Sequence, residues 1–272
     1  MRLLSGSAKL AGVAGWPVAH SKSPKIHGAW LARYNIDGAY VPLPVAPENF
    51  SAVIRALAAA GFAGLNVTLP HKEAAFTLAD ELTPAAERAG AVNTLVFRGG
   101  RILGDNTDGY GFMANLRAHD ANPNGPALIL GAGGAARAIA AALDAEDIPV
   151  AICNRSQERA EALARKLDLA CIPWDERAEV LSGFSLLVNT TSLGMTGQPA
   201  LEMNLDTAWE ELIVADVVYA PLETPLLAAA RAKSLKTVEG LGMLLHQAVP
   251  GFAAWFGVTP EVDRELYAIV QG

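Results

Sequence analysis

Along most of this chain short apolar runs alternate with longer stretches whose apolar residues recur at helical spacing, the rhythm of an α/β protein. In the first part, residues 10–16, 40–44, 64–69, 91–97 and 102–104 read as strands, and 23–35, 50–60 and 81–90 as helices. Ile26, Trp30 and Leu31 give the first helix its apolar face. Ser23 followed by Pro24 is a helix-start pair, the serine as cap and the proline at the first helical position. Ser23 thus has a structural explanation; Ser21 sits exposed in the turn before it and has none. Two hydroxyls beside a helix start suit a bound carboxylate or ordinary capping. Within 64–69 the alternation sends Asn66 and Thr68 to one side of a strand and Leu65, Val67 and Leu69 to the other. Pro70 then opens a helix carrying His71, Lys72 and Glu73. Two polar side chains and a lysine at a strand's carboxyl end form a candidate site, or a solvated strand face. Asn93 falls inside the strand 91–97. Asp108 lies where a loop becomes a helix, a place that favours an acidic residue on dipole grounds alone.

The middle of the chain carries the most specific pattern, LILGAGGAARAIA at 128–140. Three apolar residues end a buried strand, and Gly131, Gly133 and Ala136 follow as G-x-G-x-x-A at the start of an alanine-rich helix. A dinucleotide site needs this order: a tight turn, close backbone approach to a pyrophosphate, close packing of helix on sheet, and N–H donors at the helix start. Residues 148–153 give the next strand. Dinucleotide domains that select NAD carry an acid at its end. Here stand Asn154, Arg155 and Ser156, with Arg159 four positions after Arg155 and assigned to the same helical side. Two guanidinium groups suit a ribose 2′-phosphate, so the cofactor expected is NADP. Helix 160–167, strands 186–189, 213–218 and 236–239, and a helix begun by Thr224 and Pro225 complete the unit. Thr190, Thr191 and Ser192 face the cofactor or simply form a polar turn. Residues 240–256 read as a helix that Pro250 kinks or divides; it carries Gln247.

The 272 residues are 51% hydrophobic and 18% charged, enough for one large domain or two of ordinary size and too apolar for disorder. Net charge is −7, and no basic stripe points to nucleic acid. No apolar run reaches the roughly 18 residues of a membrane span, and no signal peptide is evident. The isolated cysteines Cys153 and Cys171 imply no disulfide, so a cytoplasmic protein is expected. The histidines show no metal-ligand spacing, and no metal is expected.

Read together, GWPVAHSKSPKIH, NVTLPHK, AVNTL, GDNTDGYGF, GAGGAARA, NRS, NTTSLGM, DVVY and EGLGMLLHQA, in this order and spacing, resemble the shikimate dehydrogenase family over essentially the whole chain. The resemblance implies two lobes, an N-terminal α/β substrate domain and a Rossmann-type doubly wound dinucleotide domain. It implies NADP-dependent reduction of 3-dehydroshikimate to shikimate, in aromatic amino-acid biosynthesis. By motif, Ser21 and Ser23 correspond to the serines that hold the substrate carboxylate, with Tyr219 nearby. Asn66, Thr68, Asn93 and Gln247 correspond to the polar pocket, and Lys72 and Asp108 to the catalytic pair. Gly131, Ala132, Gly133, Gly134 and Ala135, then Asn154, Arg155, Ser156 and Arg159, then Thr191, Val217 and Gly240, correspond to the cofactor contacts. Glu239 departs from the family's frequent aspartate without touching the chemistry. The expected division is 1–107 plus 241–272 for the substrate domain and 108–240 for the NADP domain, with hinges at the two crossings. The partner is a small molecule, with neither nucleic acid nor membrane involved and homodimerisation left open. The alternatives are a quinate/shikimate dehydrogenase of broader use and a non-catalytic binding homologue.

Overall fold

The run KLAGVAG becomes β1 (Lys9–Gly15), whose last five residues are buried, and the first sheet is laid down around it. The protein is seen in a computed structural model that describes residues 3–271. α1 (Ser23–Arg33) follows, then β2 (Gly38–Pro44), α2 (Phe50–Ala59) and β3 (Gly64–Val67). β2 and β3 flank β1, both parallel to it. After α3 (Lys72–Leu78), β4 (Glu81–Leu82) and α4 (Pro84–Ala89) come β5 (Thr94–Arg98) and β6 (Arg101–Asp105), an antiparallel hairpin added beside β3. The sheet order is β2-β1-β3-β5-β6-β4.

At the β2 edge the Val45 N–H donates to the Gly15 carbonyl at 3.1 Å. By strand alternation Val41 and Leu43 also turn their backbone groups toward β1, so Pro42 and Pro44 face outward.

Several local expectations shift. Ser23 is not the cap: the chain is already helical at Lys22, which takes the cap position without a side-chain cap bond, so Ser23 is the first residue of α1. The acceptor comes instead from Ser21, which is half-buried; its Oγ receives the Ser23 N–H at 3.3 Å. The strand expected over 64–69 is regular only to Val67, although the Thr68 N–H and the Leu69 carbonyl still bond to Ala14 and Trp16, and Leu69 is 74% exposed rather than turned inward. α3 begins at Lys72, not Pro70. The helix expected over 81–90 gives way to β4 and the short α4, because Thr83 accepts the Ala86 N–H and caps a new start.

The second unit is laid around an all-parallel sheet. α5 (Asp108–Ala118) leads to β7 (Ala127–Leu130), α6 (Gly134–Asp144), β8 (Val150–Cys153), α7 (Gln157–Leu167) and β9 (Ala170–Ile172). The chain then returns to the centre for β10 (Leu186–Asn189), β11 (Ile213–Asp216), α8 (Pro225–Ala232) and β12 (Lys236–Val238). The order β12-β11-β10-β7-β8-β9 is doubly wound, and the winding reverses between β7 and β10. Every residue of β7, β8, β10 and β11 is buried because helices cover both faces. Ile129, Ile152 and Val188 pack against α5 and α6, and Leu128, Leu187 and Val214 against α8.

By contact, one unit runs to Thr107 and resumes at Leu245, and the other is Asp108–Leu244. The return falls inside α9 (Gly240–His246) rather than at its first residue. The single helix expected over 240–256 is two, α9 and α10 (Ala248–Phe256), parted at Gln247. In an unbroken helix the residue at 250 would donate to the His246 carbonyl; Pro250 has no N–H, and its ring crowds that oxygen. The break leaves Gln247 in the joint. α10 and α11 (Arg264–Gln271) then pack on the first unit. Gly64 makes this possible: a methyl group there would lie 2.1 Å from both Trp255 Nε1 and the Leu95 carbonyl. Without one, the indole N–H donates to that carbonyl at 3.0 Å.

Candidate active site

In the first unit, Asn66 projects from β3 to the side covered by α1 and α10, away from Leu65 and Val67. Its Oδ1 accepts the Tyr40 hydroxyl at 2.6 Å, and its Nδ2 donates to the Asn93 carbonyl at 3.3 Å and to Thr94 Oγ1 at 3.2 Å. Asn93, just ahead of β5 rather than inside a strand, accepts the Thr107 N–H at 2.9 Å and the Thr94 hydroxyl at 3.0 Å. Its Nδ2 faces Gln247 Oε1 at 3.5 Å, and the Gln247 carbonyl accepts the Thr107 hydroxyl at 2.8 Å. Three residues expected at the site, Asn66, Asn93 and Gln247, therefore belong to one buried network. It includes Tyr40, Thr94 and Thr107, none of them among the expected site residues. A tyrosine in an apolar run was the available signal, since a buried phenol needs a partner.

The backbone decides which end of each amide faces which way. Turning Asn66 over would set its oxygen against the Asn93 carbonyl; turning Asn93 over would set its NH2 against the Thr107 N–H. Asn66 has both amide hydrogens engaged and offers further partners only a lone pair, whereas Asn93 turns its donor end toward Gln247. A site with both polarities fixed can read hydroxyl groups and exclude analogues that lack them.

Ser23 is buried, and its hydroxyl lies at the Tyr40 phenol, whose pKa burial pushes well up. Behind Tyr40, His27 stacks at 4.0 Å and is wholly buried. Burial pushes its pKa down to about 3, against a smaller upward pull from Asn66. Thr68 follows β3, its N–H donating to the Ala14 carbonyl at 3.0 Å. Lys72 is the first residue of α3, where the helix dipole disfavours a cation by about 0.3–1 kcal/mol. Helix stability therefore does not explain a lysine there. Asp108, buried and assigned to the second unit, opens α5, where a carboxylate is favoured.

In the second unit the glycine turn lies at the reversal of winding. Gly131 has φ 119°, and a Cβ there would meet Thr190 Oγ1 at 2.3 Å. Thr190 stands at the end of β10 and donates to the Leu130 carbonyl at 2.7 Å. Around Gly133 and Gly134 a side chain would meet nothing within 4 Å, so the backbone of Ala132–Ala135 is approachable at the start of α6. These residues fit a pyrophosphate. Arg155, Ser156 and Arg159 are exposed. Arg155 precedes α7, so it and Arg159 are not one helical turn apart on a common face, contrary to the spacing argument. Asn154 closes that turn by donating to the Ser156 carbonyl at 2.9 Å. The Thr191 hydroxyl is engaged internally, donating to Asn189 Oδ1 at 2.7 Å and accepting the Leu193 N–H at 3.1 Å. Val217 and Gly240 lie together: a Cβ on Gly240 would be 2.4 Å from the Val217 carbonyl oxygen. Tyr219 is half-buried, and burial raises its pKa. Among the described residues no helix is long and apolar enough to cross a membrane.

Comparison with known proteins places these features in a family context. Residues 13–95 match the shikimate dehydrogenase substrate binding domain, 117–214 the shikimate / quinate 5-dehydrogenase family, and 240–264 the shikimate 5'-dehydrogenase C-terminal domain. The shikimate dehydrogenase (NADP(+)) of Acidiphilium cryptum is 64% identical over 269 residues, covering 98% of this chain and 98% of the relative. The shikimate 5-dehydrogenase of Thermus thermophilus, solved in complex with NADP(H) and shikimate, superposes with a TM-score of 0.87 at 38% identity, over 97% of each chain. The quinate dehydrogenase of Corynebacterium glutamicum, in complex with NAD, superposes with a TM-score of 0.88 at 29% identity, over 97% of this chain and 98% of that one.

Proposed function

The chain belongs to the shikimate dehydrogenase family, and on that premise we propose how its own residues carry the family reaction, the NADP-dependent interconversion of shikimate and 3-dehydroshikimate. The substrate is a ring with one carboxylate and three hydroxyl groups. Ser21 and Ser23, with Tyr219, are assigned to the carboxylate, and Asn66, Thr68, Asn93 and Gln247 to the ring oxygens. The observation that carries this reading is the Asn66–Asn93 network, whose two amides are locked in fixed orientations by the backbone. NADP supplies the two-electron acceptor when bound. The backbone of Gly131–Ala135 would hold its pyrophosphate. Asn154, Arg155, Ser156 and Arg159 would hold the phosphorylated ribose, and Thr191, Val217 and Gly240 the nicotinamide end.

Lys72 takes the proton of the reacting hydroxyl during oxidation and returns it to the ketone oxygen during reduction. Asp108 is the other member of the proposed catalytic pair and is assigned to a neighbouring hydroxyl of the substrate. The two isolated cysteines support a cytoplasmic setting.

The test is shikimate-dependent reduction of NADP+ by the wild-type chain and by Lys72→Ala. The substitution should lower kcat by about 10²–10⁴-fold with a smaller effect on shikimate affinity. Near-normal turnover would remove Lys72 from the mechanism. Equal use of quinate, or of NAD, would favour the broader enzyme.

A further inference from the structure

Three segments of the second unit converge on one carboxylate outside the site described above. Asp216, the last residue of β11, is 2% exposed. Its Oδ1 accepts Asn189 Nδ2 at 3.0 Å and the Val218 N–H at 3.0 Å, and its Oδ2 accepts the Thr224 hydroxyl at 2.7 Å. Asn189 turns its other face to the next loop: its Oδ1 accepts the Thr191 N–H at 3.0 Å and the Thr191 hydroxyl at 2.7 Å. Its backbone carbonyl accepts the Val217 N–H at 3.0 Å. The loop after β10 and the loop after β11 are thus held in one register by the Asp216–Asn189 pair, and Gly240 is packed onto the second of them.

A carboxylate is a costly way to end a strand. Burial pushes the Asp216 carboxyl upward, and its three hydrogen bonds pull the other way. Apolar residues often fill such a place at no loss of stability. In a doubly wound sheet each half binds one mononucleotide. The half β7-β8-β9 carries the glycine turn and the Arg155 turn, which leaves the half β10-β11-β12 for the other mononucleotide.

We infer that Asp216 is a positioning residue that holds the nicotinamide half of the dinucleotide site in shape, acting through Asn189 on Thr191 and through the Val218 N–H on Val217 and Tyr219. The inference rests on the cofactor assignment proposed above. It predicts a split that loss of folded protein would not produce. Asp216→Ala should weaken NADP+ binding about tenfold and lower kcat/KM for NADP+ by about 10²-fold, as small displacements of a reacting group do. Affinity for adenosine 2′,5′-bisphosphate, which mimics only the other half, should stay within about twofold of wild type on the same scale. Asp216→Asn should recover most of the loss, because its amide oxygen still accepts from Asn189 and Val218 and its NH2 can donate to Thr224. If Asp216→Ala does not fold, Asn189→Ala carries the same test by cutting the tie to Thr191. Equal loss of both ligands, or wild-type NADP+ binding in these variants, overturns the inference. A wild-type chain that binds neither ligand overturns the cofactor assignment itself, and this inference with it.

Discussion

The side-chain oxygen of Asn93 accepts the backbone N–H of Thr107 at 2.9 Å, and so the other end of that amide is a donor, facing Gln247 Oε1 at 3.5 Å. Asn93→Asp keeps the bond to Thr107 and turns the donor on the Gln247 side into an anion. We expect a loss of about 1.5–3 kcal/mol in kcat/KM for shikimate, the range for a hydrogen bond involving a charged group, with little change in melting temperature. Asn66→Asp should do the opposite to the fold, because it sets an anion 3.3 Å from the Asn93 carbonyl. A clear drop in its melting temperature, beside an unmoved Asn93→Asp, is the pattern to look for.

Gly131→Ala should cost both stability and cofactor affinity. Its φ of 119° belongs to glycine, and the added methyl would meet Thr190 Oγ1 at 2.3 Å. A penalty of about 1–3 kcal/mol is expected from the backbone alone. Urea unfolding reads that penalty, and NADP+ titration reads the displaced turn. A variant as stable as wild type would mean that the turn relaxes freely.

Arg155 and Arg159 leave the backbone from different settings, one in the turn and one on α7, and both are exposed. If they grip the 2′-phosphate from two sides, Arg155→Ala with Arg159→Ala should raise the KM for NADP+ by about tenfold or more, through lost charge-assisted bonds. The weak activity with NAD should be unchanged. An equal effect on the two cofactors would place the phosphate elsewhere.

Stability should fall as the medium is acidified, with His27 a named contributor. Its pKa is about 3 in the fold against 6.5 for the free side chain. Between those values the unfolded chain carries a proton that the folded chain does not, so folding weakens as pH drops through this window. The contribution is about 2 kcal/mol between pH 7 and pH 5, fading above pH 6.5. His27→Gln should flatten this part of the pH–stability curve by that amount in urea titrations. An unchanged slope would assign the acid sensitivity to other groups.

The strands of the second unit were legible because helices cover both faces, leaving uninterrupted apolar runs such as 128–130 and 186–188. The glycine turn was legible because its spacing follows from backbone geometry. The first unit was less so. Its alternating pattern located Asn66, but nothing local to 64–69 revealed that Leu69 would stand out in solvent. Nothing near residue 93 revealed that Thr107 and Gln247 would close on it. Those contacts depend on the return of the C-terminal helices, a tertiary event. Asp216 was hidden differently: it ends an apolar run, and only the structure supplies the three donors that make a buried carboxylate tenable.

The outward row of the first sheet has a bearing on solubility. A neighbouring chain that tried to extend the sheet beyond β2 would need donors from residues 42 and 44, and both are prolines. The carboxyl-end half of that border, beyond Tyr40, therefore offers an incoming strand no donor. Edge-to-edge growth, the usual route by which an open sheet nucleates aggregates, is hindered there without any charged residue standing guard.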